Sequence, residues 1–258
     1  MLEEAFSSGS SPLHRLDPRA KLLSAAIVAF SFASLQTITA GFAAFAFSLW
    51  LTGLAWLPFF QVAKRLALVN GFILFLWIVL PFSAPGEPVF SLWRLQATSE
   101  GIHLAGLITL KSNAVLLIII SLVATTPVPV LGQALSSLKV PEKFAFLLLL
   151  SYRYLNVIQE EYGRLRTAAK VRCFRPATSL HTYRTFAHLV AMVFIKSFER
   201  GKRVHEAMLL RGFTGRFHTL QELQFCARDV YLGLALSAAA LGLLLLDLHL
   251  LGRMVPAA

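Results

Sequence analysis

Apolar residues gather in five long runs, at about positions 22–35, 40–60, 66–82, 102–124 and 230–250. A helix needs roughly 20 residues to cross about 30 Å of hydrocarbon. The first run reaches that length only if Ala20, Lys21 and the Gln36-Thr37 turn sit in the membrane interface. The pattern therefore predicts four spans in the N-terminal half and a fifth near the C-terminus.

Between positions 127 and 228 the pattern changes. Thr125-Thr126-Pro127-Val128-Pro129 breaks the fourth span, and a short amphipathic segment at 130–138 ends at Val140-Pro141. From 142 to 171 there is no proline and the only glycine is Gly163. That permits an unbroken helix of about 30 residues, or about 45 Å at 1.5 Å per residue. Its start at 144–150 is wholly apolar, yet Arg153 arrives too soon for a membrane crossing. A central arginine costs about 2.5–3.5 kcal/mol on insertion scales, and Arg164, Arg166, Lys170 and Arg172 follow it. Arg175-Pro176 then breaks the helix and Ser179 can cap the next. Phe186, Leu189, Val190, Val193, Phe194, Val204 and Met208 recur at the spacing of one buried helix face, with Lys196, Glu199, Arg200, Lys202 and Arg203 mostly elsewhere.

No strand-like alternation persists. The expected fold is an all-α integral membrane protein: about five transmembrane helices plus a cytoplasmic arm of long amphipathic helices. The expected divisions are an N-terminal bundle at 1–126, the arm at 127–228 and a C-terminal helix with its tail at 229–258.

Composition supports the membrane class. Hydrophobic residues make up 57% of the 258 and charged residues 14%, with a mean hydropathy of +0.67, whereas soluble domains carry about 25% charged residues. The net charge of +11 is concentrated: 16 of the 24 Lys and Arg residues lie at 127–228, against six Glu and no Asp. Arg15, Arg19 and Lys21 precede the first run, and Lys64 and Arg65 separate the second from the third. Loop 83–101 holds Arg94 as its one base, against Glu87 and Glu100. By the positive-inside rule, the N-terminus is expected in the cytoplasm of a multi-pass membrane protein. Cys173 and Cys226 form no disulfide framework or Cys-x-x-Cys metal motif. No small-x-small cleavage site follows the first run, so it reads as a retained span and not as a leader.

One short motif occurs twice. Ala168-Ala169-Lys170-Val171-Arg172-Cys173-Phe174 and Ala207-Met208-Leu209-Leu210-Arg211-Gly212-Phe213 both fit Ala-x-x-x-Arg-(small)-Phe, with the arginines 39 residues apart. Each copy ends a helix-compatible stretch. Arginine offers a planar five-donor fork to a carboxylate, the phenylalanine can fill an apolar pocket, and Gly212 allows a sharp turn after the helix. Ala168 and Ala207 keep the neighbouring face slim. A duplicated tip suggests a partner present in two copies, and the candidate docking residues are Ala168, Arg172, Cys173, Phe174, Ala207, Arg211, Gly212 and Phe213.

These residues resemble the transmembrane T component of energy-coupling factor (ECF) transporters, and in particular its cobalt-type subunit CbiQ. Ser11-Pro12-Leu13-His14-Arg15-Leu16-Asp17-Pro18-Arg19-Ala20-Lys21-Leu22-Leu23 matches the family's opening. Thr125-Thr126-Pro127, Ala134-Leu135, Leu138, Tyr152-Arg153-Tyr154-Leu155 and Glu160-Glu161 follow its central pattern, and the two motif copies match its repeat. The stretch from Glu199 to Phe217 is the most CbiQ-like. Cys173 stands where the family has glycine, so the first turn is expected to be tighter or differently shaped.

The resemblance implies a non-catalytic coupling subunit of an importer for cobalt, with nickel or a vitamin as alternative cargo. It implies two ABC-type ATPases as partners, a metal-specific substrate-binding membrane subunit, and room for a small accessory membrane subunit. ATP and magnesium would belong to the ATPases, leaving no cofactor in this chain. The residues agree: no Gly-x-x-x-x-Gly-Lys-Ser/Thr occurs, and Gly201-Lys202-Arg203 lacks both the preceding glycine and the following hydroxyl. No resident metal site is expected from His181, His188 and His205, which form no His-x-x-x-His pair or Cys/His cluster.

Two rival classes remain. A membrane enzyme acting on lipid or isoprenoid phosphates could use the basic arm, but paired carboxylates and an Asp-rich metal motif are missing. Nucleic-acid binding would explain the charge, but the hydropathy disfavours it. Lys111 is read as snorkelling from a span that starts nearer Leu110, Asp247 as interfacial, and Asp17 with Arg15 and Arg19 as a local salt-bridged turn.

Overall fold

The computed structural model describes residues 6, 9, 11, 13–83, 88–92, 95–138, 140–213 and 227–254. Cys226 and residues 214–217 of the CbiQ-like stretch lie outside them. The order of elements is α1 (Pro18–Ser34), α2 (Ile38–Leu54), α3 (Phe59–Ser83), strands β1 (Pro88–Leu92) and β2 (Leu95–Thr98), α4 (Ser99–Ile118), α5 (Val128–Ser137), α6 (Glu142–Val171), α7 (Leu180–Leu210) and α8 (Ala227–Met254). The all-α class holds, with one addition. Within loop 83–101 an antiparallel hairpin pairs Leu92 with Leu95, Ser91 with Gln96 and Phe90 with Ala97. Four or five residues per strand are too few for a persistent alternation to show in sequence.

The chain divides into two compact units, Glu4–Ala134 with Leu223–Ala258, and Leu135–Glu222. The first is the helical bundle. Three of its helical segments are long and apolar enough to cross a membrane, Phe59–Ser83, Ser99–Val123 and Ala227–Leu250, and Ile38–Leu54 is a shorter apolar helix. Its core is built around α1, whose Ala25, Val28 and Phe32 are buried with Ala40, Ala44 and Leu51 of α2, Ala114 and Ile118 of α4, and Leu236 and Ala240 of α8. Within a bilayer, helices associate through close packing and interhelical hydrogen bonds. Gly41 of α2 accordingly meets Leu107 and Leu110 of α4 at 3.4–3.5 Å from its Cβ position. The Asn70 and Asn113 amides exchange two hydrogen bonds of 2.9 Å between α3 and α4.

Local chemistry sets the helix ends. Asp17 caps α1, its carboxylate accepting from the Arg19 amide at 2.8 Å, and Pro18 occupies the first helical position, where a missing N–H costs nothing. The expected salt-bridged turn is therefore a helix cap. Thr98 caps α4 by accepting from Gly101 N at 3.3 Å, while its hydroxyl donates to Pro81 O at 3.2 Å. A Cβ on Gly101 would lie 2.7 Å from Leu80 O and Pro81 Cα, so only glycine lets α4 start against the end of α3. The fourth span ends in a π-helical turn, Ile119–Val123, after which the Thr125 hydroxyl donates back to Ser121 O and Leu122 O.

Of three charged residues expected at the interface, Lys21 and Asp247 are buried in the bundle and Lys111 is half-buried along it. Lys21 is 2% exposed, and its ammonium donates to Thr126 Oγ1 at 3.0 Å and His14 O at 3.3 Å. Asp247 is 1% exposed. Its carboxylate accepts from Gln36 N at 2.7 Å, Thr37 N at 3.0 Å and the Thr37 hydroxyl, so it caps the start of α2. Lys111 lies well inside the helical span Ser99–Val123, and its Nζ donates to Ala33 O at 3.1 Å. Helix α4 begins at Ser99 and not near Leu110, so Lys111 holds the carbonyl end of α1 instead of reaching out of a short span. The α1–α2 turn is thus gripped by a cation on its carbonyl side and an anion on its amide side, as the helix dipoles favour.

Candidate docking site

The second unit is built on α6 and α7, an antiparallel pair. Pro141 precedes α6, which runs unbroken for 30 residues because nothing inside it interrupts the helix. Ser179 caps α7, its hydroxyl accepting from Thr182 N at 3.3 Å. Phe146 near the start of α6 packs on Phe213 beyond the end of α7, with centroids 6.0 Å apart. At the other end of the pair, Phe174 meets Phe186 edge-on at 5.9 Å.

Midway, the Glu161 side chain is 12% exposed and faces Lys196 at 2.5 Å, Arg200 at 3.7 Å and Arg164 at 3.9 Å. The Lys196 hydrogen bond, reinforced by the three positive charges, holds the Glu161 carboxyl below its ordinary range against the opposing effect of burial. Of the seven apolar residues expected on the buried face of α7, Phe186, Leu189, Val193, Val204 and Met208 are half-buried and Val190 and Phe194 are exposed, and the contact with Glu161 adds cations to that face. Phe194 is 72% exposed, while Lys196, Ser197 and Arg200 turn towards α6 and are half-buried beside Leu189, Val193 and Val204. Apolar spacing marked most of this face, and the acid on α6 accounts for the two cations that share it.

The two motif copies form the same structure. Arg172 ends α6, and Cys173 follows with φ of 61°. The Phe174 amide donates to Ala169 O at 3.1 Å and the Cys173 amide to Lys170 O at 3.0 Å. Arg211 ends α7, and Gly212 follows with φ of 79°. There Phe213 N donates to Met208 O at 3.0 Å and Gly212 N to Leu209 O at 2.9 Å. Both are Schellman ends, in which a left-handed residue lets two amides satisfy the last carbonyls. The turn at Cys173 is therefore not differently shaped, since it makes the same two bonds. The thiol-bearing residue enters the left-handed region at a cost of about 1–2 kcal/mol, which glycine avoids.

Arg172 and Arg211 are exposed, as are Ala168 and Ala207 one turn earlier on the same faces. Neither arginine has an acidic partner among the described residues. The phenylalanines are placed differently from expectation. Phe174 and Phe213 are half-buried against Phe186 and Phe146 of the arm itself, so each ring braces its turn and the guanidinium is the outward group. The two tips lie at opposite ends of α7, whose 31 residues span about 46 Å at 1.5 Å per residue. Of the histidines, His181 packs on Phe174 at 6.3 Å. Among the described residues no three His, Cys, Asp or Glu side chains converge as metal ligands would.

Sequence reading missed Glu161 as the centre of the arm, because its cationic partners on α7 lie 35 residues or more away. It also gave no role to the opening segment. There the His14 ring bonds Ser11 Oγ at 2.6 Å and Phe6 O at 3.0 Å, and Arg65 stacks on Phe6 at 4.4 Å. Together with Lys21, these contacts fasten the opening segment to the bundle.

The cobalt transport protein family, CbiQ, matches residues 9–221. An energy-coupling factor transporter transmembrane protein EcfT from Exiguobacterium sibiricum is 31% identical over 259 residues, covering 93% of this chain and 96% of the relative. EcfT from Streptococcus equi is 28% identical over 224 residues, covering 81% and 82%. A putative fused cobalt transport protein CbiMQ from Methanocorpusculum labreanum is 27% identical over 143 residues, covering 54% of this chain and 24% of the relative. The family matched and the apolar helices place the chain in a membrane. With a bundle of apolar helices, a long helical pair and matches over most of its length, this chain belongs to the CbiQ family, among the transmembrane components of energy-coupling factor transporters.

Proposed function

We propose that the chain is the coupling subunit of an ATP-driven importer for cobalt ions, performing no catalysis of its own. In this reading two ABC-type ATPases, carrying ATP and magnesium, each receive one tip of the arm. ATP binding closes the ATPase pair, the tips move, and the arm passes that motion to a separate membrane subunit that binds the metal. The observation that carries the reading is the pair of like Schellman ends, each presenting an exposed arginine with no acidic partner among the described residues. Such a fork suits a carboxylate on each ATPase through charge-assisted hydrogen bonds, worth roughly 1.5–3 kcal/mol each when buried. The family description supports cobalt as cargo. The placement of Arg15, Arg19, Lys64 and Arg65 supports a cytoplasmic N-terminus.

The test is a mild-detergent pull-down of the tagged chain from its native membranes, beside an Arg172→Glu/Arg211→Glu double variant. Wild type should bring down an ABC-type ATPase and a small membrane subunit, and the double variant should lose the ATPase. Recovery of no ATPase, or full retention by the variant, would reject the docking reading. Cobalt uptake dependent on the recovered complex checks the cargo.

A further inference from the structure

The basic side chains of the arm divide by whether a carboxylate faces them. Arg164, Lys196 and Arg200 converge on Glu161, and Arg203 pairs with Glu199 at 4.0 Å. Arg153 has no ion pair among the described residues. Its guanidinium lies 6.0 Å from the ring of Tyr154. Arg153 of α6 and Arg211 at the end of α7 line one groove of about 320 Å³, with no acidic side chain among the described residues that line it. Phe146, Leu150, Ala207 and Met208 give it apolar walls.

The Arg172 end lacks this arrangement. The groove beside Ala168 is lined by α6 alone, through Gly163, Thr167 and Val171 with Glu160 and Arg164. Its arginine is already held by Glu160 at 4.0 Å and Glu161 at 3.9 Å. The groove at one tip thus holds a paired arginine, and the groove at the other holds two guanidinium groups without an ion pair among the described residues, over apolar walls.

We propose that Arg153 is a second docking arginine at the Arg211 end. There the two forks together receive an acidic segment of the ATPase partner, so the two ends of the arm hold their partners unequally. The inference rests on the docking reading above. The occupant follows from charge and size: two positive forks with no counter-charge attract a carboxylate. The groove is at the small end of the roughly 300–1,000 Å³ range of ligand clefts, which suits a carboxylate side chain with an apolar neighbour. It also continues the surface on which Arg211 stands.

The experiment measures ATPase retained by the full tagged complex in detergent, across a salt series, for Arg153→Glu, Arg153→Met, Arg172→Glu and Arg211→Glu. Arg153→Met keeps most of the apolar stem beside Tyr154, which separates lost charge from lost fold. Arg153→Glu should lower retention about tenfold with a shallower salt dependence, Arg153→Met should fall between it and wild type, and Arg211→Glu should be at least as damaging as Arg172→Glu. If Arg211→Glu loses the ATPase and both Arg153 variants keep it, the second arginine is refuted and the docking reading stands. If the Arg211 and Arg153 variants all keep it, both fail. Loss of co-purified anionic lipid from Arg153→Glu with unchanged ATPase retention would make the groove a lipid site and overturn the inference.

Discussion

Lys21 Nζ donates a hydrogen bond of 3.0 Å to Thr126 Oγ1, joining the first turn of α1 to the end of the fourth span across 105 residues. Both ends of this bond are more than nine-tenths buried. A buried polar group left without its partner incurs its full desolvation cost. The π-helical turn at Ile119–Val123 lies just before Thr126, and the two threonines that end the span in sequence thereby gain a structural role.

Removing either partner should loosen the bundle. Lys21→Met should lower stability by about 1.5–3 kcal/mol, and Thr126→Val by about 1–2 kcal/mol. Thermal or denaturant unfolding of the purified protein in detergent measures both. A double variant that costs no more than Lys21→Met alone would show that the two act through one bond.

The paired helix ends predict opposite outcomes for opposite substitutions. Cys173→Gly should raise stability by about 1 kcal/mol, because the left-handed φ of 61° strains any residue with a Cβ. Gly212→Ala should lower it by about 1–2 kcal/mol for the same reason. Among the described residues nothing lies within 4 Å of a Cβ placed on Gly212, so the cost is assigned to backbone strain. Unchanged unfolding midpoints for both variants would count against the shared turn.

Asp247 caps α2 from another helix, 210 residues away along the chain. Asp247→Asn replaces one acceptor oxygen by a donor facing backbone N–H groups. It should cost about 1–3 kcal/mol, while Asp247→Leu should cost more by leaving all three donors unpaired. Protease sensitivity near Gln36-Thr37 reports the freed turn, and an intact turn in the leucine variant would contradict the capping role.

Glu161 makes the arm sensitive to acid. Its carboxyl lies below the ordinary glutamate value of 4.5 in the folded chain, held down first by the Lys196 hydrogen bond. Its contribution is therefore present above that value and is lost as pH falls through the lower folded one. Glu161→Gln should destabilise the protein at neutral pH, and the gap from wild type should close as pH drops below about 4.5. Unfolding midpoints of the two proteins from neutral to acid pH provide the comparison. A gap that persists undiminished into strong acid would exclude charge pairing as its cause.

Much of this architecture follows from the sequence alone, because its causes are local. The limits of α6, Glu142–Val171, follow from Val140-Pro141 before it and from Cys173 and Pro176 after it, with no breaker between. The end at Gly212 is legible for the same reason, since a Schellman turn involves only six consecutive residues, whereas Cys173 concealed that the first end makes the same turn. The apolar runs specify membrane helices because hydrocarbon admits few charges and no unpaired backbone. Tertiary structure decided what depends on which helix packs on which. Lys21 and Asp247 look like interfacial charges in sequence, yet they are buried in the bundle because their partners are brought from distant helices, and half-buried Lys111 likewise finds its partner on α1. The place of Lys196 and Arg200 on the inward face of α7 was decided by Glu161 on α6, and the different grooves beside Ala168 and Arg211 by the pairing of the two helices. Helical periodicity fixes how residues are spaced around an axis, but only the neighbouring helix determines which side of that axis is buried.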